Sequence, residues 1–209
     1  MMNILSILLL LCICAFLILF YILKWKPRNE IRVKDLYAEG LDLMVSGKRK
    51  SAYKNFKDII NKDSDNIKAY LRLGQVLREG GSPSNAIKIH RGLYYRRNLT
   101  FYDKIEIHKN LALDYYKVND ISSAIIELEK LLKIEKNNEW ALSQLSRFYQ
   151  KNQDWTNAGK YFHKYQKLTN KIDHHKLALY KIQEGRLLIS DKKFTESRKK
   201  FEEALNINN

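Results

Sequence analysis

Five histidines, two cysteines and 23 carboxylates are the side chains of this 209-residue chain that could move protons, attack a carbonyl or hold a metal. Their spacing argues against all three. Cys12 and Cys14 are two residues apart in an apolar run, so on a helix they point about 200° from each other and cannot share a metal. Two thiols also cannot build a disulfide framework or a four-thiolate zinc site. His90 and His108 fall at core-facing positions of a helical pattern, where a hydrogen-bonded core histidine is the expected role. His174 and His175 are neighbours in a linker, and Glu202-Glu203 lies on a helix surface where a solvated face is the ordinary reading. There is no phosphate-cradling glycine loop, no H-E-x-x-H and no G-x-S-x-G. The sequence therefore predicts a binding protein with no catalytic residues, no cofactor and no metal.

The elements that carry these side chains follow from a repeat. Gly40, Gly74, Ala112, Ser146 and Gly185 recur at spacings of 34, 38, 34 and 39. Twelve residues after each stands another small residue: Ala52, Ala86, Ala124, Ala158 and Ser197. An aliphatic or aromatic residue follows the first set by three, and a large residue (Phe56, His90, Leu128, Phe162, Phe201) follows the second by four. This is the tetratricopeptide (TPR) pattern of two amphipathic helices whose small residues let the pair approach closely. The units are 33–66, 67–100, 105–138, 139–172 and 178–209, joined by turn-forming stretches such as Ser46-Gly47 and Asn152-Gln153-Asp154. Two Pro and eight Gly leave too little punctuation for an all-β chain. The expected fold is all-α: an N-terminal transmembrane helix, then a TPR α-solenoid of about five helix-turn-helix repeats over 33–209. The last repeat ends without a capping helix, so either more array is expected to follow or that end is expected to meet a partner or another copy.

The N-terminal 24 residues differ in kind. Ile4 to Leu23 contains no charge, and fifteen of its 20 residues are Leu, Ile or Phe. On an insertion scale those fifteen favour a bilayer by about 5–9 kcal/mol. A helix of that length matches the hydrocarbon thickness. No basic residue precedes the run and no small-x-small site ends it, which favours an anchor (span about 4–23) over a cleaved signal. Tyr21, Lys24, Trp25, Lys26 and Arg28 would sit at the interface, with 25–32 as a juxtamembrane linker. Basic residues crowd the C-terminal flank, so the N-terminus is expected outside and the repeats in the cytoplasm.

All 38 Lys and Arg lie from Lys24 onward, and the formal net charge is +15. Such a charge asks for an acidic partner. The stripe beside the core of each first helix would line the concave face. It carries Lys34, Tyr37, Lys68, Arg78, Lys109, Tyr116, Trp140, Arg147 and Arg186, a basic and aromatic set suited to a peptide with acidic and apolar anchors. Exposed Lys and Arg that merely keep a solenoid dissolved are the plainer alternative. Tyr94-Tyr95-Arg96-Arg97 is the one patch with the interleaving of a nucleic-acid site, and a single such patch makes nucleic acid the minor reading.

Two stretches resemble a known family. One is Tyr37-Ala38-Glu39-Gly40-Leu41 leading to Ala52 and Phe56. The other is Leu73-Gly74, Arg78, Ala86-Ile87-Lys88-Ile89-His90, Leu93 and Leu99-Thr100. They resemble the N-terminal half of the lipopolysaccharide assembly protein B family, over about residues 1–135. The resemblance implies a bacterial inner-membrane TPR adaptor that regulates lipopolysaccharide synthesis. Its partners would be a membrane protease and the deacetylase that commits flux to lipid A. A general TPR scaffold for another inner-membrane complex is the alternative. The family carries a C-terminal rubredoxin-like metal domain, and no cysteine follows residue 14 here, so that module is expected to be lacking.

Overall fold

The structure, a computed structural model, describes the backbone of residues 4–208 and the side chains of 9–21 and 32–207. Its described residues form ten α-helices, one 3-10 turn at Leu93–Tyr95 and no strand. The helices are α1 (Ile4–Val45), α2 (Arg49–Lys62), α3 (Ile67–Glu79), α4 (Pro83–Gly92), α5 (Phe101–Lys117), α6 (Ile121–Ile134), α7 (Glu139–Lys151), α8 (Trp155–Thr169), α9 (His174–Ser190) and α10 (Phe194–Asn208). The chain divides into two compact units, Met1–Val76 and Leu77–Asn209, with the boundary inside α3.

Polar caps start the helices. Asn66, Asp120, Asn138, Asp154 and Asp173 each accept a bond from the backbone N–H three residues on, at 2.9–3.1 Å. Thr100 and Asp103 form a reciprocal capping box at the start of α5. The turns inside the helix pairs share one geometry. Gly47, Gly81, Asn119, Gln153 and Lys192 all have positive φ, between 58° and 86°. The next N–H reaches back five residues: Lys48 to Leu43, Ser82 to Leu77, Asp120 to Tyr115, Asp154 to Tyr149 and Lys193 to Leu188, at 2.8–2.9 Å. This is a Schellman closure, which satisfies carbonyls that a helix end would leave bare.

Helix pairs α1–α2, α5–α6, α7–α8 and α9–α10 pack together, and in the second unit α4–α5, α6–α7 and α8–α9 are also neighbours. The small residues lie at the crossings. Ser146 Oγ donates to the Ala158 carbonyl and Ser197 Oγ to the Gly185 carbonyl, both at 2.9 Å. The hydroxyl thus bonds across the same crossing from either helix. A Cβ on Gly40 would stand 2.8 Å from the Phe56 ring, and one on Gly185 2.8 Å from the Phe201 ring. The second unit's core runs through Ile105, Ala112, Leu128, Leu131, Leu145 and Phe148 and continues into Ala158, Phe162 and Tyr180.

The expected linker 25–32 is helical backbone within α1. The interface residues Lys24, Trp25, Lys26 and Arg28 lie outside the residues whose side chains are described, as do both ends of the expected span 4–23. Among the described residues no helix is long and apolar enough to cross a membrane. Residues 9–21 are nonetheless exposed throughout, Phe16 at 67% and Leu9 at 65%, with Phe16 stacked on Phe20.

Candidate functional site

In the second unit, the first helices of successive pairs bring four of the anticipated residues side by side. α5 presents Lys109 and Tyr116, two turns apart. α7 presents Trp140 and Arg147, also two turns apart, so the two pairs stand at matching heights. The Tyr116 ring stacks on Phe148 with centroids 4.5 Å apart and planes 12° off parallel. The Arg147 guanidinium lies 5.1 Å from the Tyr116 centroid and 5.5 Å from that of Phe148. Lys151 Nζ sits 4.6 Å from the Tyr116 centroid. At the other end, Lys109 Nζ is 5.1 Å from the Trp140 centroid and 3.2 Å from Glu106.

These contacts hold cations over ring faces, worth about 0.5–1 kcal/mol each at exposed sites. They also fix the direction of two side chains that otherwise carry much rotamer freedom. Arg147 and Lys151 form no ion pair among the described residues, so their charge remains for a ligand. A guanidinium held beside these rings still has N–H groups to offer a carboxylate. Lys151 escaped the sequence reading. Its signal was its place one turn after Arg147, but an i, i+4 spacing alone does not reveal the ring they share.

The other anticipated residues are placed apart from this cluster. Arg186, on α9, is exposed. In the first unit Lys34 and Lys68 are exposed, while Tyr37 packs edge-on against Phe56 and accepts a bond from Arg72 Nε at 3.3 Å. Arg78 is committed to the interior of the second unit. Its Nη1 lies 2.7 Å from Asp114 Oδ1 and 3.2 Å from Asn110 Oδ1. The second oxygen of Asp114 meets His90 Nδ1 at 2.5 Å, and both Asp114 and His90 are fully buried.

A second polar cluster lies nearby. Glu127 takes Tyr94 Oη, His108 Nδ1 at 2.8 Å and Lys130 Nζ at 2.8 Å. Burial alone would raise its pKa, but the bonds from His108, Lys130 and Tyr94 outweigh it and bring the carboxyl down to about 2. Burial, then Glu127, pushes the Tyr94 hydroxyl up. The Tyr94 hydroxyl is thereby committed to Glu127 although the residue is 36% exposed, and Tyr95 is 86% exposed. Among the described residues no three His, Cys, Asp or Glu are grouped to hold a metal.

No family model matches the chain. Over 133 residues it is 27% identical to lipopolysaccharide assembly protein B of Escherichia coli K12, a match covering 64% of this chain and 34% of the relative. The Haemophilus influenzae protein of that name is 28% identical over 130 residues, 58% of this chain and 33% of the relative. The chain thus spans about a third of the length of the curated relatives it matches. Among solved structures, MamA superposes with a TM-score of 0.59 at 16% identity, over 84% of this chain and 91% of that one. A tetratricopeptide repeat protein from Parabacteroides merdae gives 0.59 at 19% identity, covering 83% and 66%. YrrB, described as a TPR protein with an unusual peptide-binding site, gives 0.55 at 14% identity, covering 82% and 84%. The fold is that of the tetratricopeptide repeat proteins, and the sequence resemblance is to lipopolysaccharide assembly protein B.

Proposed function

We propose that this chain is a membrane-anchored TPR adaptor that binds protein segments on the first-helix face and acts, like the relatives it resembles, in regulating lipopolysaccharide synthesis. The observation that carries the binding role is the Tyr116 cluster. Arg147 and Lys151 are positioned by ring contacts and left without a carboxylate. An extended or helical segment with an acidic residue beside an apolar one would satisfy both the cations and the half-buried faces of Tyr116 and Trp140. YrrB, on the same fold, is described as having a peptide-binding site.

Support for the anchor is the uncharged run 4–23 together with the exposure of every described side chain from 9 to 21. A surface of that kind asks for lipid or a partner helix. The basic flank from Lys24 orients the repeats toward the cytoplasm. The partners under this reading are a membrane protease and the lipid A deacetylase. The test is purification of the full chain in mild detergent from a lipopolysaccharide-producing bacterium. Co-purification of both partners is expected, with loss in an Arg147→Glu/Arg186→Glu variant and retention in Arg198→Glu/Lys199→Glu. Absence of both partners from the wild-type preparation sinks the regulatory reading. Equal loss in the two variants sinks the face.

A further inference from the structure

A second surface of the Leu77–Asn209 unit has the chemistry of a docking site and shares no residue with the first-helix face. It is a cleft of about 770 Å³ between the second helices α6 and α8, closed at one end by the start of α7. Its rim is four lysines. Lys133 and Lys136 stand on one side, at the end of α6 and just past it. Lys164 and Lys167 stand on the other, three residues apart on α8. All four are exposed, and none forms an ion pair among the described residues. Leu132, Leu142 and Leu168 line its apolar part.

One carboxylate, Glu129, lines the cleft, and it is already occupied. Its Oε1 accepts the Tyr149 hydroxyl at 2.8 Å and the Tyr161 hydroxyl at 3.2 Å. Burial and the neighbouring Glu129 push the Tyr161 hydroxyl up to about 12, so it stays a proton donor at neutral pH. No Asp or Glu occurs between Asp154 and Asp173, so α8 supplies no acid of its own. The four ammonium groups therefore share the cleft with a single carboxylate, which two tyrosine hydroxyls already hold, and the cleft stays net positive.

We propose that this cleft docks an acidic segment of a partner protein, with a leucine-type side chain on the leucine floor and carboxylates against the two lysine pairs. The shape and the rings choose among anionic partners. A bilayer surface is flat and would meet the rim while leaving the leucine floor unfilled. A nucleic acid would need a free ring on which to stack. Tyr161 has one face against Tyr149, with centroids 5.5 Å apart and planes 7° off parallel, and Lys160 and Lys164 Nζ each 5.6 Å from its centroid. An acidic polypeptide brings several carboxylates and an apolar side chain together at the spacing of the two lysine pairs and the leucine floor.

The probe is a fluorescein-labelled peptide of repeated Glu-Glu-Leu triplets, titrated against the full chain in mild detergent and followed by anisotropy. Binding that weakens with added salt is expected. Lys133→Glu/Lys136→Glu and Lys164→Glu/Lys167→Glu should each weaken it at least about tenfold, as reversal of steering charges does. Arg198→Glu/Lys199→Glu, on α10 and in neither proposed surface, should leave it within about twofold, additivity being the rule for separate sites. Replacing each Leu of the peptide by Ser should also weaken it. All these positions are exposed, and unchanged circular dichroism and melting confirm that the variants fold. The proposal is overturned if the peptide does not bind, if neither cleft variant weakens it, or if Arg198→Glu/Lys199→Glu weakens it as much as the cleft variants do. It is equally overturned if phosphatidylserine vesicles or single-stranded RNA bind instead and the cleft variants abolish that binding. The cleft variants leave Arg147 and Lys151 in place, so their failure to weaken binding leaves the first-helix face standing, and loss of that face leaves the cleft standing.

Discussion

At the residue scale the interior is held by charge as well as by packing. Asp114 is fully buried and divides its two oxygens between Arg78 and His90. Removing the carboxylate leaves a largely buried guanidinium with no counter-charge and only Asn110 to bond, a loss of up to about 3–5 kcal/mol. Asp114→Ala should therefore lower the melting temperature sharply, and a thermal scan of the purified chain measures it. Glu127 gives a pH dependence of definite sign. Its folded-state pKa of about 2 lies below its ordinary 4.5, so its contribution is fully present above pH 4.5 and is lost as pH falls toward 2. That contribution is on the order of a few kcal/mol. Glu127→Gln should flatten the stability curve between those two values and leave its slope above pH 5 unchanged, as acid titration by circular dichroism would show.

At the element scale two repeated contacts set the tolerance of the helix pairs. The first is the crossing. Gly40 faces Phe56, whereas in the α5–α6 pair the equivalent residues are Ala112 and Leu128, a larger residue facing a smaller one. Gly40→Ala gains about 1 kcal/mol of helix propensity. It loses about 1–3 kcal/mol to overpacking against a ring that is itself fully buried. A net loss is expected. Gly40→Ala/Phe56→Leu should be more stable than the sum of its single changes implies, because it recreates the Ala-Leu pairing. The second contact is the left-handed turn residue. Nothing lies within 4 Å of a Cβ placed on Gly47, so a substitution there meets only backbone strain at φ +71°. Gly47→Val should cost about 1–2 kcal/mol. Gly47→Asn should be milder, since Asn119 already occupies the matching turn at φ 63°. Urea denaturation at equal slope would distinguish the two.

For the whole molecule, the charge distribution separates two jobs. The first 23 residues carry no charged side chain, and all of the +15 belongs to the rest. Deleting residues 1–24 should move the chain from the membrane pellet to the supernatant after cell fractionation. Peptide binding by the second unit should be unchanged, since α5 to α8 carry both proposed surfaces. A truncated chain that still pellets with membranes would place the attachment in the repeats.

Much of this molecule follows from short-range pattern. Cap residues stand one step before helices, small residues recur where helices cross, and the unbalanced lysines are plain in composition. These depend on a residue and its near neighbours along one helix, so the sequence by itself determined them. The left-handed turns at Gln153 and Lys192 carried no glycine to mark them, and the Schellman closure imposes the conformation there. The tertiary structure alone decided which side chains meet. Arg78 and Asp114 are 36 residues apart and His90 and Asp114 are 24 apart. That separation turned Arg78, which the stripe placed on a binding face, into half of a buried pair. Arg147 and Lys151 come to rest on Tyr116 because α5 and α7 lie side by side in the stack. The lysine cleft arises because α6 and α8 bring their basic ends together. Such meetings depend on the register between helices one repeat apart, which periodicity along a single helix does not specify.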